Sequence, residues 1–259
     1  MFNTLIVSTT GSIARIALNR PERKNAIGPE MINELLHALD RAQADANVRV
    51  IVLTGEGKAF CAGGDLGQMS GDATTGSDPL SLRGDYADLL LAMIRCTRPI
   101  IARVHGAAMG GGLGLVASSA FAIAADEAQL GTPEINVGLF PMMIMAVLAR
   151  TMPRRRLLEM MLLGQKIPAD EALRLGLLNR VVPASELDAT VDSLANDLAQ
   201  KSPTAIARGL SAYATVGDLA LAEALPWLRD QLYELLQTDD AREGLMAFAQ
   251  KRAPQWTGR

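Results

Sequence analysis

The chain is poor in the residues that build disulfide frameworks, transition-metal centres and aromatic surfaces. Among its 259 residues are two cysteines, two histidines and only 4% aromatic residues. Two cysteines form no disulfide framework and favour a reducing, cytoplasmic setting. Two histidines leave little for a transition-metal site, so we expect no metal.

An excess of positive charge is also missing. The chain has 25 Lys and Arg against 28 Asp and Glu, a formal net charge of −3, which gives no electrostatic basis for nucleic-acid binding. The first residues lack the basic segment and apolar run of a signal peptide. Residues 106–125 carry no charge, but their glycines and serines suit a buried strand-turn-helix better than a membrane span. We therefore expect neither nucleic acid nor membrane as a partner.

Apolar runs alternate with helical patterns through the first two thirds of the chain. This alternation predicts stacked strand-strand-helix units with the helices outside, an α/β fold. A helix is predicted over residues 80–93. From Pro168 onward the chain is predicted to be almost wholly helical, and apolar stripes along residues 184–199, 204–213, 219–236 and 242–251 predict a helical extension.

The most informative stretch runs from residue 99 to residue 116. Ile100–Val104 is β-branched and apolar and is predicted to be a buried strand. Three glycines, Gly110, Gly111 and Gly112, precede a predicted helix. Such a backbone is bare of side chains, and amides at a helix start favour a group that carries or develops negative charge.

Three interpretations of the glycines compete with simple close packing. A phosphate loop fails because no Lys-Ser/Thr pair follows. A dinucleotide site fits G-x-G-x-x-A from Gly112 to Ala117, with Glu134 as the ribose-binding acid, but Gly112 lies well past the strand end. An oxyanion hole, in which backbone amides hold a charge that appears during reaction, needs a second donor and a base.

Four motifs in order identify the chain as similar to a known family. They are Ala-Phe-Cys-Ala-Gly-Gly-Asp-Leu at residues 59–66, Val-His-Gly-Ala-Ala-Met-Gly-Gly-Gly at 104–112, Gly-Thr-Pro-Glu-Ile-Asn-Val-Gly at 131–138, and Phe-Ala-Gln-Lys-Arg-Ala-Pro at 248–254. Together they resemble the enoyl-CoA hydratase/isomerase family, or crotonase superfamily, over essentially the whole chain.

The resemblance implies the family's architecture. This is a ClpP-like spiral of ββα units with a helical C-terminal trimerisation region. For this chain it implies a spiral core with the acyl-CoA site over residues 1–195 and an oligomerisation region over residues 196–259. The implied assembly is a homotrimer or a dimer of trimers.

The resemblance also implies a site that binds an acyl-CoA thioester. It places the oxyanion-hole amides at Ala62 and Gly111 and the catalytic acid/base at Glu134. Coenzyme A enters as part of the substrate and not as a cofactor. The residues implied for substrate and CoA binding are Arg23, Lys24, Ala59, Cys61, Asp65, Leu66 and Lys251.

One departure from the family pattern concerns the chemistry. The hydratases usually carry two glutamates, and the first of these positions is Gly114 here, while the second is Glu134. A single carboxylate can move a proton from one carbon to another, which fits isomerisation of a 3-enoyl-CoA to a 2-enoyl-CoA. Hydration of a 2-enoyl-CoA normally uses a second group. We expect Gly114→Glu to raise hydratase activity relative to isomerase activity, because the position aligns with the family's first glutamate and a carboxylate there gains from the positive end of the helix. If the backbone at position 114 is helical, we expect the replacement of glycine to cost no strain.

Both reactions therefore stay open. The alternative from another class is a non-catalytic or differently reacting acyl-CoA-binding homologue that kept the oxyanion loop. A nicotinamide oxidoreductase is a more distant possibility. The sequence does not identify the acyl group.

Overall fold

A computed structural model gives the structure of the protein, and it describes residues 2–65, 67 and 80–259. Leu66, one of the residues implied for CoA binding, lies outside the described residues. The strands are β1 (Leu5–Thr10), β2 (Ile13–Leu18), β3 (Val50–Gly55), β4 (Ala59–Cys61), β5 (Ile100–Val104), β6 (Ala107–Met109), β7 (Phe121–Ala125), β8 (Gln129–Gly131), β9 (Lys166–Pro168) and β10 (Arg180–Val182).

The strands form two sheets. The larger has the order β1-β2-β3-β5-β7-β10, and the smaller has the order β4-β6-β8-β9. Strands β2, β3, β5, β7 and β10 of the large sheet run parallel, and so do β4, β6 and β8 of the small one. Each consecutive strand pair from β3 to β8 thus contributes its first strand to the large sheet and its second to the small sheet.

The described helices are α1 (Pro29–Ala44), α2 (Tyr86–Ile94), α3 (Gly111–Ala117), α4 (Met142–Leu148), α5 (Arg154–Leu163), α6 (Ala169–Arg174), α7 (Leu187–Ala199), α8 (Pro203–Val216), α9 (Leu221–Leu236) and α10 (Asp239–Gln250), with short 3-10 helices at Pro21–Arg23, Pro133–Val137 and Ala184–Glu186. The order β5-β6-α3 shows the ββα unit most clearly. The mixed α/β fold of repeated strand-strand-helix units is confirmed.

Two local predictions were wrong. The helix expected over residues 80–93 begins only at Tyr86, because Asp85 caps it by accepting from the Ala87 and Asp88 amides. The region after Pro168 also contains a strand, β10, which pairs in parallel with β7. Arg180–Val182 is too short for its periodicity to separate a strand from a helix.

The core lies between the sheets and the helices around them. Buried aliphatic side chains such as Ile16, Leu53, Leu113 and Leu130 form the main cluster. A second cluster forms where α7 packs on the outer face of the large sheet, with Leu187 and Val191 against strands β2, β3, β5 and β7.

The C-terminal helices α8, α9 and α10 pack mainly on one another. They leave large apolar side chains in solvent, among them Phe248 at 87% exposure and Tyr213 at 80%. The expected boundary between residues 195 and 196 falls inside α7, which lies on the sheet along its length, and the chain leaves the sheet only after Ala199. Among the described helices, none combines the length and apolar character needed to cross a membrane.

Candidate active site

The small sheet brings three sequence motifs together. Strands β4, β6 and β8 are parallel neighbours, so their carboxyl ends lie at the same edge of the sheet, where α/β proteins commonly bind ligands. The residues that follow these strands are 62–65, 110–112 and 132–134. These are the glycine-rich loop, the glycine turn and the Thr-Pro-Glu segment singled out in the sequence.

The glycine turn needs glycine for two reasons. Gly110 has φ 49° and ψ −120°, which side chains rarely tolerate. A Cβ on Gly112 would lie 2.5 Å from the Cys61 carbonyl oxygen. Gly111 is the first residue of α3, so its N–H has no partner in the helix, and the described residues offer it no other hydrogen bond.

The structure contradicts the assignment of Ala62 as an oxyanion donor. The Ala62 N–H already donates to the Lys24 carbonyl at 2.9 Å. The amide left available is two residues further on. Ile27 forms a parallel bridge with Gly64 by bonding to the Gly63 carbonyl and the Asp65 N–H, so the Gly64 N–H has no hydrogen bond within the described part of the chain.

Gly63 places this available amide beside the glycine turn. A Cβ on Gly63 would lie 3.6 Å from the Gly111 nitrogen. The peptide between Gly63 and Gly64 therefore neighbours the peptide between Gly110 and Gly111. Gly64 is exposed and Gly111 is partly exposed, so the two adjacent N–H groups can donate hydrogen bonds to a ligand oxygen.

Glu134 lies on the same turn. It is the second residue of the 3-10 helix Pro133–Val137, and its carboxylate lies against Gly110, where a Cβ would come 2.5 Å from Oε1. Glu134 is half-buried, and its Oε2 is buried without a hydrogen-bond partner in the described residues. Burial raises the pKa of this carboxyl above its ordinary value. A carboxylate with one unpartnered oxygen and a raised pKa has the properties of a general base.

Tyr86 occupies the space beside Gly114. Its hydroxyl donates to the Gly111 carbonyl at 2.5 Å. A Cβ on Gly114 would overlap both this hydroxyl and the Ile144 Cγ2 methyl group. The expectation that a side chain fits at position 114 without strain is therefore wrong, because packing from α2 and α4 fills the site that the sequence left open.

Asp65 makes ion pairs instead of facing solvent. It is buried, and its Oδ2 lies 3.2 Å from Nη1 of Arg20 and 3.2 Å from Nη1 of Arg23. Arg23 keeps 52% of its side chain exposed, so it has room for a second anionic partner. The carboxylate itself connects two loops of the fold.

The other residues implied for CoA binding differ in what they expose. Lys24 and Lys251 are exposed, and both have the left-handed backbone conformation. Ala59 and Cys61 are buried, so only their backbone can face a ligand. The Cys61 thiol donates to the Asn25 carbonyl at 3.0 Å, and burial raises its pKa to about 12.

Sequence reasoning named none of three residues of the site individually. Two of them, Tyr86 and Ile144, fall within residues 70–91 and 140–145, which the sequence indicates only as the lining of an apolar pocket. Gly64 is in the quoted motif, but only the bridge with Ile27 shows that its amide is available. Tyr86 and Ile144 are far from the glycine turn in sequence and reach it through packing. The scarcity of tyrosine, three in the chain, is the one signal that could have drawn attention to Tyr86.

Comparisons with known proteins show one family and one fold. The family model for enoyl-CoA hydratase/isomerase matches residues 8–259. A protein from Mycobacterium leprae named "Probable enoyl-CoA hydratase" is 36% identical over 259 residues, covering 100% of this chain and 99% of the relative. Carnitinyl-CoA dehydratase from Proteus mirabilis is 33% identical over 265 residues, with 100% of each chain covered. The crystal structure of an enoyl-CoA hydratase from Mycobacterium smegmatis superposes with TM-score 0.90 at 31% identity, covering 98% of this chain and 99% of that one.

Proposed function

Because the chain belongs to the enoyl-CoA hydratase/isomerase family, we propose that it stabilises a thioester enolate between two backbone amides and moves protons with Glu134. The observation that carries this proposal is the state of Glu134. Its Oε2 is buried and unpartnered in the described residues, and its carboxylate lies against the glycine turn that carries the available Gly111 amide.

The amides of Gly64 and Gly111 are the proposed oxyanion hole. Both lack hydrogen bonds in the described part of the chain, and their peptides are neighbours. An acyl-CoA whose thioester oxygen binds there can lose a Cα proton without forming an unstabilised anion. Each such donor typically lowers the barrier by about 3 to 4 kcal/mol.

Glu134 is the proposed acid and base. Burial favours the protonated form of its carboxyl, so the carboxylate binds a proton more readily than an exposed glutamate does. It takes a proton from the acyl chain as the enolate forms and returns a proton when the enolate collapses. The enzyme therefore needs no other carboxylate for a reaction that only moves a proton.

The reaction is double-bond isomerisation of a 3-enoyl-CoA or hydration of a 2-enoyl-CoA. Isomerisation uses one base that becomes the acid, which matches the single carboxylate at the turn. Hydration by the same residue requires Glu134 to deprotonate water and then protonate Cα in succession. Measurement of both turnovers with 3-hexenoyl-CoA and crotonyl-CoA distinguishes the two, and turnover of neither supports a binding protein.

Substrate binding and assembly complete the proposal. The exposed cations of Arg23, Lys24 and Lys251 are candidate partners for the CoA phosphates.

The exposed apolar side chains on α8, α9 and α10 are the proposed contact surface of a homotrimer or dimer of trimers. Light scattering of the purified protein measures this assembly. Both cysteines are free and buried, in keeping with the expected cytoplasmic location.

A backbone substitution tests the oxyanion hole. Glycolic acid at position 64 replaces the amide with an ester and removes one N–H, while lactic acid at position 62 does the same to the amide that binds Lys24. We expect the ester at 64 to lower kcat by about a hundredfold or more. The ester at 62 is the matched control, expected to cost about 1 kcal/mol of stability and little turnover. A large loss of kcat with the ester at 62 and little loss with the ester at 64 would instead identify the Ala62 N–H as the donor.

A further inference from the structure

Tyr86 is held firmly at the start of α2. The Asp85 carboxylate accepts from the Ala87 and Asp88 amides, and Asp88 accepts from the Asp85 N–H at 2.9 Å, which forms a reciprocal cap. The preceding segment is bonded to α1, because the Arg83 N–H donates to Asn33 Oδ1 at 2.8 Å. The position of Tyr86 is thus fixed by backbone contacts on either side of it.

The Tyr86 side chain reaches from this position to the glycine turn. Its hydroxyl donates its one hydrogen to the Gly111 carbonyl, and a Cβ on Gly111 would contact both Oη and Cζ of the ring. Glu134 lies against Gly110, the preceding residue. The phenol and the carboxylate therefore flank two consecutive residues of the same turn.

The environment keeps Tyr86 neutral. Burial raises its pKa well above the ordinary value, and electrostatic coupling to the neighbouring ionisable groups of Cys61 and Glu134 raises it further. A phenol in this state is not a base at neutral pH and is a weak acid. Its contribution must come from its hydrogen bond and its volume.

We propose that Tyr86 is a positioning residue that holds the Gly111 peptide and, with Ile144, fills the space beside Gly114 where a second carboxylate would otherwise fit. This inference rests on the proposed function, because the turn that Tyr86 holds carries the Gly111 amide. In such a site Glu134 transfers the proton, while Tyr86 on the other side of the turn stays neutral. Such a site favours proton transfer along the acyl chain over activation of water.

The test is Tyr86→Phe, which keeps the ring and removes the hydroxyl. We expect kcat to fall about tenfold, the usual worth of one hydrogen bond near the reacting groups, with KM changed by less than about twofold. The pH profile of kcat should keep its shape, because Tyr86 does not titrate in the working range. The concentration of folded enzyme is taken from a denaturation curve and used to calculate kcat. A loss of stability is therefore not mistaken for a loss of kcat.

Thr10→Val is the control, since Thr10 is exposed at the end of β1 and the change likewise removes one hydroxyl group. An unchanged kcat in Tyr86→Phe would overturn the proposal. Loss of one limb of the pH profile would also overturn it, since Tyr86 would then be an acid or base. Failure of the proposed function has a different signature, which is a wild-type protein that turns over neither 3-hexenoyl-CoA nor crotonyl-CoA.

Discussion

Asp65 follows β4 and Glu134 follows β8, so both carboxylates lie at the same edge of the small sheet, but their surroundings differ. Asp65 is buried between the guanidinium groups of Arg20 and Arg23. Glu134 has a buried oxygen with no partner in the described residues. A carboxylate paired with cations is stabilised in its charged form, whereas an unpaired one accepts a proton more readily. We therefore expect Asp65 to contribute mainly to stability and Glu134 mainly to the proposed chemistry.

Glu134→Gln is the substitution expected to have the largest effect, and it acts on turnover. The amide keeps the shape of the side chain and removes its basicity, so we expect turnover of the active substrate to fall by about a hundredfold or more. Steady-state kinetics measure this loss. Near-normal turnover in the variant would make Glu134 a structural residue like Asp65.

Asp65→Asn is the reciprocal change. Arg20 has only 16% of its side chain exposed and would lose the partner for a largely buried charge. We expect the free energy of unfolding to fall by about 3 kcal/mol, as for other broken buried pairs. Urea denaturation measures the difference, with Glu134→Gln as the control that should show no such loss. Equal stability of the two variants would contradict the assigned difference between the carboxylates.

Gly114→Ala tests how tightly Tyr86 and Ile144 pack against Gly114. The new methyl group would overlap the Tyr86 hydroxyl and the Ile144 methyl group, and one of them must move. Overpacking of this kind typically costs about 1 to 3 kcal/mol, and a displaced Tyr86 would also release Gly111. Thermal denaturation of Gly114→Ala against Gly209→Ala provides the contrast, because a Cβ on Gly209 meets nothing within 4 Å. A more stable Gly114→Ala would show that the space beside α3 is open.

The smallest expected effect is the pH dependence contributed by Glu134. A carboxyl group with a raised folded-state pKa binds protons more tightly in the folded state than in the unfolded one. Its stabilising contribution is fully present below the unfolded-state pKa and is lost as the pH rises through the folded-state pKa. Glu134→Gln should therefore become more stable relative to wild type as the pH rises from the unfolded-state pKa through the raised folded-state pKa of Glu134. Paired denaturation curves measure the trend, and a trend of the opposite sign would contradict the unpaired state of Glu134.

Local patterns in the sequence were sufficient for much of the fold. The β-branched run at Ile100–Val104 is a strand, and the glycines after it open a helix, as predicted. The start of α2 was misplaced because the cap at Asp85 competes with an apolar run that begins earlier. The strand β10 was missed because its identity depends on pairing with β7, which is distant in sequence.

The candidate site was only partly predictable, for a physical reason. Glu134, Gly111 and Gly114 lie in motifs that can be found along the chain. The availability of an amide depends on what its neighbours bind, and only the folded contacts show that the Ala62 amide is engaged while the Gly64 amide is not. The reason for glycine at position 114 is likewise non-local, since Tyr86 and Ile144 approach it from two other helices.

Exchange of the Cα hydrogens of butyryl-CoA in D2O tests the central claim most directly, because it requires enolate formation and a base but no double bond and no water addition. Mass spectrometry follows deuterium incorporation with wild-type protein and with Glu134→Gln. We predict steady incorporation with wild type and a loss of about a hundredfold or more in the variant. Absence of exchange with wild type, or equal exchange in both proteins, would contradict Glu134 as the base of an enolate-forming site.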